Sequence, residues 1–399
     1  MWCGLSLLAV MFTSQICAAD TSQDLRGALE KTWARNPEAQ VLEARRAEIT
    51  ARRTAASSVL PGAPSLELSN RSDRLTDNRG QDELEAGVSL PLWLPGQQAA
   101  RIEEVTAAEF SLNQEMQALR LKLAGELREA IWGVALAESQ VVVAEHHLET
   151  TRKLEEDVKR RVAAGDLAQT DLNLAQNDTL TVQTALLEAQ TRLFQAGQNY
   201  SILVGEPPIV AEHEEALPAL AVFDDHPRLM AARGAIAYAQ AQLHTVNAAR
   251  RDSPELTLST RRERRDEAEP YDQSIGITLR LPFSTEARNR PLIAAAETAL
   301  TQAQAQYEQA RRQLEAEIKQ AEQGYQMTQQ AVAIAETQQR LTAENVTLLQ
   351  KSFDLGELSL VLLLQAKNAT FSAEQAYTQQ KIALALGKAR LNQAQGILP

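Results

Sequence analysis

The sequence predicts a mainly α-helical chain with a β segment, built from one structural pattern written twice. Of its 399 residues, 44% are hydrophobic but only 4% are aromatic, a composition that favours long helices packed along narrow apolar stripes. The duplication is indicated by motifs that recur about 190 positions apart, as expected for an internal repeat. These pairs are Pro37 and Pro227, Pro64 and Pro254, Gly87 and Gly276, and Gly165-Asp166-Leu167 and Gly356-Glu357-Leu358.

Residues 1–19 resemble a secretory signal peptide. A short apolar run precedes Cys17-Ala18-Ala19, which matches a small-residue cleavage site. Cleavage after Ala19 removes both cysteines of the chain, so neither a disulfide nor a thiol site is expected in the mature protein. A lipid-modified Cys17 is the alternative, although the bulky Ile16 stands where a small residue is expected.

The first repeat is predicted to cover residues 20–205. It begins with a helix that ends before Asn36-Pro37, a pair that suits the start of a second helix. Apolar residues then recur at every second position, which predicts strands over about 64–71 and 83–92. Helix-type spacing of three and four residues without proline predicts long helices over about 97–164 and 169–203.

The second repeat is predicted to cover residues 223–396, after a proline-rich linker over 206–222. The same patterns place strands at about 254–262 and 272–281 and long helices at about 288–355 and 360–393. Asp224 and Asp225 are the expected polar caps for the helix that begins at Pro227. Both long helices stop at a glycine, Gly165 or Gly356, so each repeat is expected to end in a helical hairpin.

The four predicted strands are each about ten residues long, which is enough to cross a bilayer when the strand is tilted. An amphipathic surface sheet explains the alternation alone, but isolated hairpins flanked by long helices have no evident globular core to cover them. This context favours a membrane β-barrel segment. The residues expected to face lipid are Leu84, Val88, Leu90, Ile275, Ile277 and Leu279.

No enzyme motif is present, so the sequence indicates neither catalysis nor a cofactor or metal site. His146 and His147 are adjacent on a helix and therefore point in different directions, which favours surface residues over metal ligands. The net charge is −12, and the densest basic run, from Arg261 to Arg265, is short and interrupted by a glutamate. Nucleic-acid binding is therefore not expected.

The two hairpin tips are candidate docking sites for a partner. Gly165, Asp166 and Leu167, and again Gly356, Glu357 and Leu358, place an apolar residue and a carboxylate at exposed turns. Each tip alone is explained by a C-terminal glycine followed by a new helix. Asp171 begins the returning helix of the first hairpin and is a candidate pore-entrance residue, although a solvated aspartate is the simpler interpretation.

These features together resemble the TolC-like outer-membrane efflux proteins of Gram-negative bacteria. The resemblance covers residues 25–395 and is carried by segments in the first repeat and by the duplicated order of elements. These segments are Leu25 to Glu38, Leu60-Pro61 before the strand Pro64 to Arg71, Gly87 to Leu92 followed by Pro95-Gly96, and Ala164 to Leu172. The short loops and the absent C-terminal extension are most similar to the heavy-metal efflux branch.

The resemblance implies a homotrimer with a twelve-stranded barrel in the outer membrane, four strands per protomer, and an α-helical tunnel in the periplasm. It also implies an exit duct for drugs or metal ions, supplied by a periplasmic adaptor protein and an inner-membrane pump of the RND or a related type. Asp171 matches the family's tip aspartate, but its counterpart in the second repeat is Leu362. Two rival interpretations are a periplasmic adaptor, which would carry one long hairpin, and a soluble coiled-coil scaffold, which needs no strands.

Overall fold

The computed structural model describes residues 19–208, 215–217 and 222–399, with side chains from Leu25 onward. All but the last residue of the leader expected over 1–19, and much of the linker, therefore lie outside the described residues. The elements are α1 (Ala19–Arg35), α2 (Pro37–Ala56), β1 (Ser65–Ser72), β2 (Asp82–Pro91), α3 (Gln97–Ala164), α4 (Gln169–Val204), α5 (Pro227–Ala248), β3 (Glu255–Arg264), β4 (Asp272–Arg280), α6 (Glu286–Asp354) and α7 (Leu360–Ala394).

The element order repeats as predicted: helix, two strands and two long helices occur first in α2–α4 and again in α5–α7. Strand and helix ends differ from the predicted ends by one or two residues. The helix α5 is capped differently than predicted. His226, not Asp224 or Asp225, is its N-cap, and the His226 Nδ1 accepts a hydrogen bond of 3.1 Å from the Arg228 N–H.

The described chain separates into two compact units, and both α3 and α6 contribute to each. One unit holds the sheet, with α2, α5 and the first parts of α3 and α6. Helices approach closely there because small residues meet: a Cβ on Gly234 would lie 2.9 Å from the Cα of Ser111. Ala100, Leu112 and Leu229 are buried in this unit, and the Thr245 hydroxyl donates to the Ala100 carbonyl over 3.1 Å.

The sheet has the order β1-β2-β3-β4 and is antiparallel throughout. The two predicted hairpins are therefore one continuous sheet, because β2 of the first repeat pairs with β3 of the second. That pairing joins strands about 170 residues apart in sequence. Its register is specified by matching the apolar positions of β2 with those of β3 on one face.

The other unit is helical and contains α1, α4, α7 and the remaining parts of α3 and α6. On the part of α3 in this unit, Leu123 and Leu127 are buried. Arg128 is also buried, and its guanidinium pairs with Glu215 at 2.7 Å. The same guanidinium donates to Gln393 and to the Ile397 carbonyl, which ties the linker and the C-terminal residues to α3. None of the described helices is both long and apolar enough to span a membrane.

Candidate functional sites at the hairpin tips and the sheet

The two hairpin tips share one backbone geometry. At the first, the Asp166 N–H donates to the Arg161 carbonyl and the Gly165 N–H donates to the Val162 carbonyl. The second tip repeats this pattern with Glu357 and Gly356 as donors. Gly165 and Gly356 have φ of 84° and 77°, and no atom lies within 4 Å of a Cβ built on either. The positive φ, and not lack of space, is thus what requires glycine there.

Leu167 and Leu358 are not the exposed apolar residues that the sequence predicted. Both are half-buried and pack against a cluster behind the tips to which all four long helices contribute. The buried members of this cluster are Leu154, Val158, Ala175, Phe353, Leu360 and Leu363. The physical reason is packing between helices, because the cluster that covers both leucines is assembled from elements that are distant in sequence.

The groups exposed at the tips are Asp166, Glu357 and Leu355. The Leu355 side chain is 75% exposed and stands directly before Gly356, where the first repeat has Ala164. Sequence reasoning missed Leu355, although a signal was available: it continues a stripe of apolar residues spaced seven apart on α6. The tips therefore present the Asp166 and Glu357 carboxylates to solvent together with Leu355, their most exposed large apolar side chain.

Arg161 connects the two hairpins within the helical unit, and sequence reasoning missed it. Its guanidinium lies 4.9 Å from the Phe353 ring centroid and donates to the Phe353 carbonyl over 3.3 Å. It also pairs with Asp354 at 3.3 Å and with Asp157 at 2.8 Å. A cation here also suits the C-terminal end of α6, which is the negative end of the helix dipole.

Asp171 is half-buried at the start of α4, and its carboxylate accepts a hydrogen bond of 3.2 Å from the Ala168 N–H. This contact satisfies a backbone donor that the first turn of a helix leaves unpaired. The second repeat has Leu362 at the matching position and Ser359 as N-cap. Asp171 therefore has a structural role in this chain, and its role at a pore entrance stays a prediction.

The two adjacent histidines have different surroundings. His146 is exposed, as predicted, but the prediction was wrong for His147, whose ring stacks on Phe371 with 3.7 Å between centroids. Burial lowers the pKa of His147, and the nearby Asp178 carboxylate opposes only part of this shift. In the part of the chain that the structure describes, no group of three His, Cys, Asp or Glu side chains is arranged to hold a metal ion.

One face of the sheet is apolar and open. The register places Leu66, Val88, Leu258 and Ile277 in one row across all four strands. Ile275 and Ile277 are 80% and 74% exposed. The six residues predicted to face lipid lie on this face, and all but the half-buried Leu90 are exposed. Sequence reasoning did not single out Leu66, Leu68 and Leu258, although the alternation that reveals them was present.

The opposite face of the sheet is polar. Ser89 and Thr257 are neighbours on β2 and β3, and their hydroxyl oxygens lie 2.7 Å apart. Nearer the hairpin loops, Arg261 pairs with Glu83 at 2.8 Å and with Glu263 at 2.7 Å. The sheet is thus polar on one side and apolar on the other, while its outer strands β1 and β4 each have one edge without a strand partner in the described chain.

Two helices of the helical unit carry apolar stripes that no described residue covers. On α6 the stripe consists of residues seven positions apart: Met327, Ile334, Leu341, Leu348 and Leu355, each more than half exposed. A matching stripe on α4 includes Leu180, Leu187, Phe194 and Ile202, all between 59% and 73% exposed. A spacing of seven is typical of helices that pack against other helices in coiled coils.

No protein-family model matches this chain. No curated protein matches it either. Several solved structures do match over nearly the whole length. A structure of CusC, described in terms of folding and transmembrane channel formation, has a TM-score of 0.79 and 17% identity, and the match covers 97% of this chain and 96% of that one.

The outer membrane protein VceC from Vibrio cholerae matches with a TM-score of 0.75 and 19% identity, covering 94% of this chain and 96% of its own. The Campylobacter jejuni CmeC outer membrane channel matches with a TM-score of 0.76 and 14% identity, covering 97% and 90%. At these identities the likeness establishes the fold. The chain therefore has the fold of the TolC-like outer-membrane channels, as the sequence predicts.

Proposed function

We propose that this chain is the outer-membrane channel of a tripartite efflux system in a Gram-negative bacterium. It acts as a passive exit duct, without catalysis, that spans the outer membrane with its strands and continues through the periplasm as a helical tunnel. Small solutes, either drugs or metal ions, are delivered to it by an inner-membrane pump through a periplasmic adaptor.

The observation that carries this proposal is the open apolar face of the sheet. Exposed apolar patches of this kind mark membrane or protein contacts. In water, exposing Leu66, Ile275 and Ile277 forgoes about 1.5–3 kcal/mol of burial for each side chain. The strands have the length of transmembrane β-strands, and the second face is polar, as the lining of a water-filled barrel requires. A barrel in a bilayer suits both faces, because lipid contacts the apolar face and water contacts the polar face.

The unpaired sheet edges and the open helical stripes support a homotrimer. Backbone groups at a strand edge need partners inside a bilayer, so β1 of one protomer is expected to pair with β4 of the next. Such head-to-tail contacts close into a ring. Three copies of a four-stranded sheet give twelve strands, and the stripes on α4 and α6 provide the matching helical contacts between protomers.

The tips are proposed to bind the adaptor. Support comes from their repeated geometry and from the exposure of the Asp166, Glu357 and Leu355 side chains. The two rival functions are disfavoured by the fold, because an adaptor would carry one helical hairpin and this chain has two. A soluble coiled-coil scaffold has no use for a sheet with an open apolar face.

Cell fractionation tests the proposal directly. The full-length protein, expressed in a Gram-negative host, is expected in the outer-membrane fraction as a trimer. Co-expression with its adaptor and pump should raise tolerance to the transported solute in a strain that lacks its own channel. Recovery in the periplasmic fraction as a soluble protein would contradict the channel assignment and favour a scaffold.

A further inference from the structure

The basic run Arg261 to Arg265 lies at the loop end of β3, and strand alternation sorts it onto two faces. Arg261 and Glu263 lie on the polar face. Arg262 and Arg264 lie on the apolar face, where Arg262 is in register with Leu84 and Gln273, and Arg264 is in register with Asp82. Two arginines and one carboxylate, Asp82, thus lie together at the border of the apolar face.

Arg261 differs from Arg262 and Arg264 in how the charge of the guanidinium is neutralised. Arg261 on the polar face has two carboxylate partners within 2.8 Å. Neither Arg262 nor Arg264 has a carboxylate within ion-pair distance among the residues that the structure describes. A guanidinium without an anionic partner at the border of an apolar face is costly to remove from water, so an anionic acceptor from outside this chain would stabilise the site.

Tyr271 holds the two guanidinium groups together. Its ring centroid lies 3.9 Å from the Cζ of Arg262 and 5.0 Å from the Cζ of Arg264. Its hydroxyl donates to the Asp82 carboxylate over 3.2 Å, so the ring itself is anchored to β2. The stacking fixes the arginines without using their N–H donors, which stay available for a ligand.

We propose that Arg262 and Arg264 bind the phosphate groups of a phosphorylated lipid headgroup at the loop end of the sheet. This inference rests on the proposed function, because it requires the apolar face to contact lipid acyl chains. The apolar rows end at the headgroup level of the bilayer, so side chains at the border of that face contact lipid headgroups. Guanidinium groups bind phosphate oxygens in pairs of parallel hydrogen bonds, and a tyrosine beside them suits the membrane interface.

The test uses trimers purified from outer membranes in a mild detergent. Native mass spectrometry counts bound lipid as the trimers are titrated with bis-phosphorylated lipid A or with the same lipid after both phosphates are removed. We expect wild-type trimers to prefer the phosphorylated lipid. The double variant Arg262→Gln, Arg264→Gln should bind it about tenfold more weakly or worse, since hydrogen bonds to charged groups are lost.

The matched control is Arg250→Gln, Arg251→Gln, which removes the same charge from exposed arginines before the other end of β3. It should bind like the wild type. The variant Arg262→Lys, Arg264→Lys keeps the charge without the paired donors and should fall between the two. Equal binding of both lipids by wild-type trimers overturns the inference, and this comparison requires no variant to fold.

Inorganic phosphate distinguishes a lipid site from a general phosphate site. We expect it to compete only weakly, because the lipid is also held by the apolar face. Complete displacement by inorganic phosphate would overturn the assignment to lipid. Failure of this inference is distinguishable from failure of the proposed function. Trimers that reach the outer membrane but bind both forms of lipid A equally would contradict the lipid site alone.

Discussion

Arg161 is a residue at which the two repeats differ, and the difference has a physical consequence. The matching position in the second repeat is Ser352, so this guanidinium has no counterpart at the same place in the second hairpin. Arg161 uses this position to pair with Asp354 across to the other hairpin. The duplication therefore supplies the scaffold, and this unmatched residue adds one of the contacts between its two copies.

His147 provides a prediction about pH. Because burial lowers its pKa below the ordinary value of 6.5, the folded protein binds a proton at this site less readily than the unfolded chain. The favourable contribution of neutral His147 is therefore complete above pH 6.5 and is lost as the pH falls below that value. We expect His147→Gln to make thermal unfolding of the helical unit less sensitive to this acidification than in the wild type.

His146→Gln is the control for that measurement, because His146 is the exposed neighbour on the same helix. Unfolding temperatures of both variants and the wild type are compared on the two sides of pH 6.5. If His147→Gln and wild type lost the same stability on acidification, protonation of His147 would not be coupled to unfolding.

At the scale of single elements, the sheet makes the sharpest prediction because neighbouring residues on one strand face opposite environments. Ile277→Arg on the apolar face should cost about 2–4 kcal/mol near the middle of a bilayer. Thr278→Arg is the adjacent exposed residue on the polar face and should be tolerated. The yield of assembled trimer in the outer membrane measures the difference, and equal yields would contradict a lipid-facing sheet.

Val88→Arg on β2 is the corresponding change in the first repeat, and the same loss is expected. Its neighbour Ser89 is a less suitable control than Thr278, because Ser89 is half-buried and its hydroxyl contacts Thr257. A substitution at Ser89 therefore disturbs a polar contact within the sheet as well as adding charge.

The open stripe on α6 predicts how the protomers associate. Ile334→Glu with Leu341→Glu should abolish the trimer without unfolding the protomer, because both side chains are exposed in the single chain. Burial of each side chain between protomers is expected to contribute about 1.5–3 kcal/mol to association. The control Ala343→Glu with Thr347→Glu adds the same charge at exposed positions on the other side of α6. Cross-linking and sedimentation report the trimer, and unchanged trimers in the first variant would exclude this stripe from the interface.

Most of the fold was predictable because long-range periodicity is a strong signal. Sixty-eight residues of helix in α3 leave little ambiguity between helix and strand. The pairing of β2 with β3 was not specified by any local pattern, since it joins two repeats through a register that only the assembled sheet defines. The homologous turns at Gly165 and Gly356 were also predictable, because positive φ selects for glycine.

The burial of individual side chains at the tips could not be predicted from the sequence. Leu167 and Leu358 stand beside a turn, which made them look exposed, but the cluster that covers them is assembled from four helices. The same limit applies to His147, which is half-buried because Phe371 of α7 lies against its ring. Contacts between elements distant in sequence decide exposure at these positions, and helix periodicity reports only one helix at a time.

At the scale of the whole molecule, substitutions at the tips can test adaptor binding separately from trimer assembly. Leu167→Asp and Leu358→Asp do not test docking cleanly, because both residues pack against buried Phe353 and its neighbours. The better change is Leu355→Asp combined with Asp166→Lys and Glu357→Lys. All three side chains are exposed, so the variant should fold, reach the outer membrane and form trimers at wild-type levels.

The same tip variant should nevertheless lose efflux, because a duct that cannot bind its adaptor is an isolated pore. It replaces the most exposed large apolar side chain at the tips and reverses the charge of both carboxylates, so apolar and electrostatic complementarity to a partner are lost together. Glu336→Lys, an exposed charge reversal within α6, is the control and should export normally. Trimer level and solute tolerance are measured in a strain that lacks its own channel, with adaptor and pump supplied. Full tolerance in the triple variant would mean that these exposed groups only end one helix and begin the next, and that the adaptor binds elsewhere.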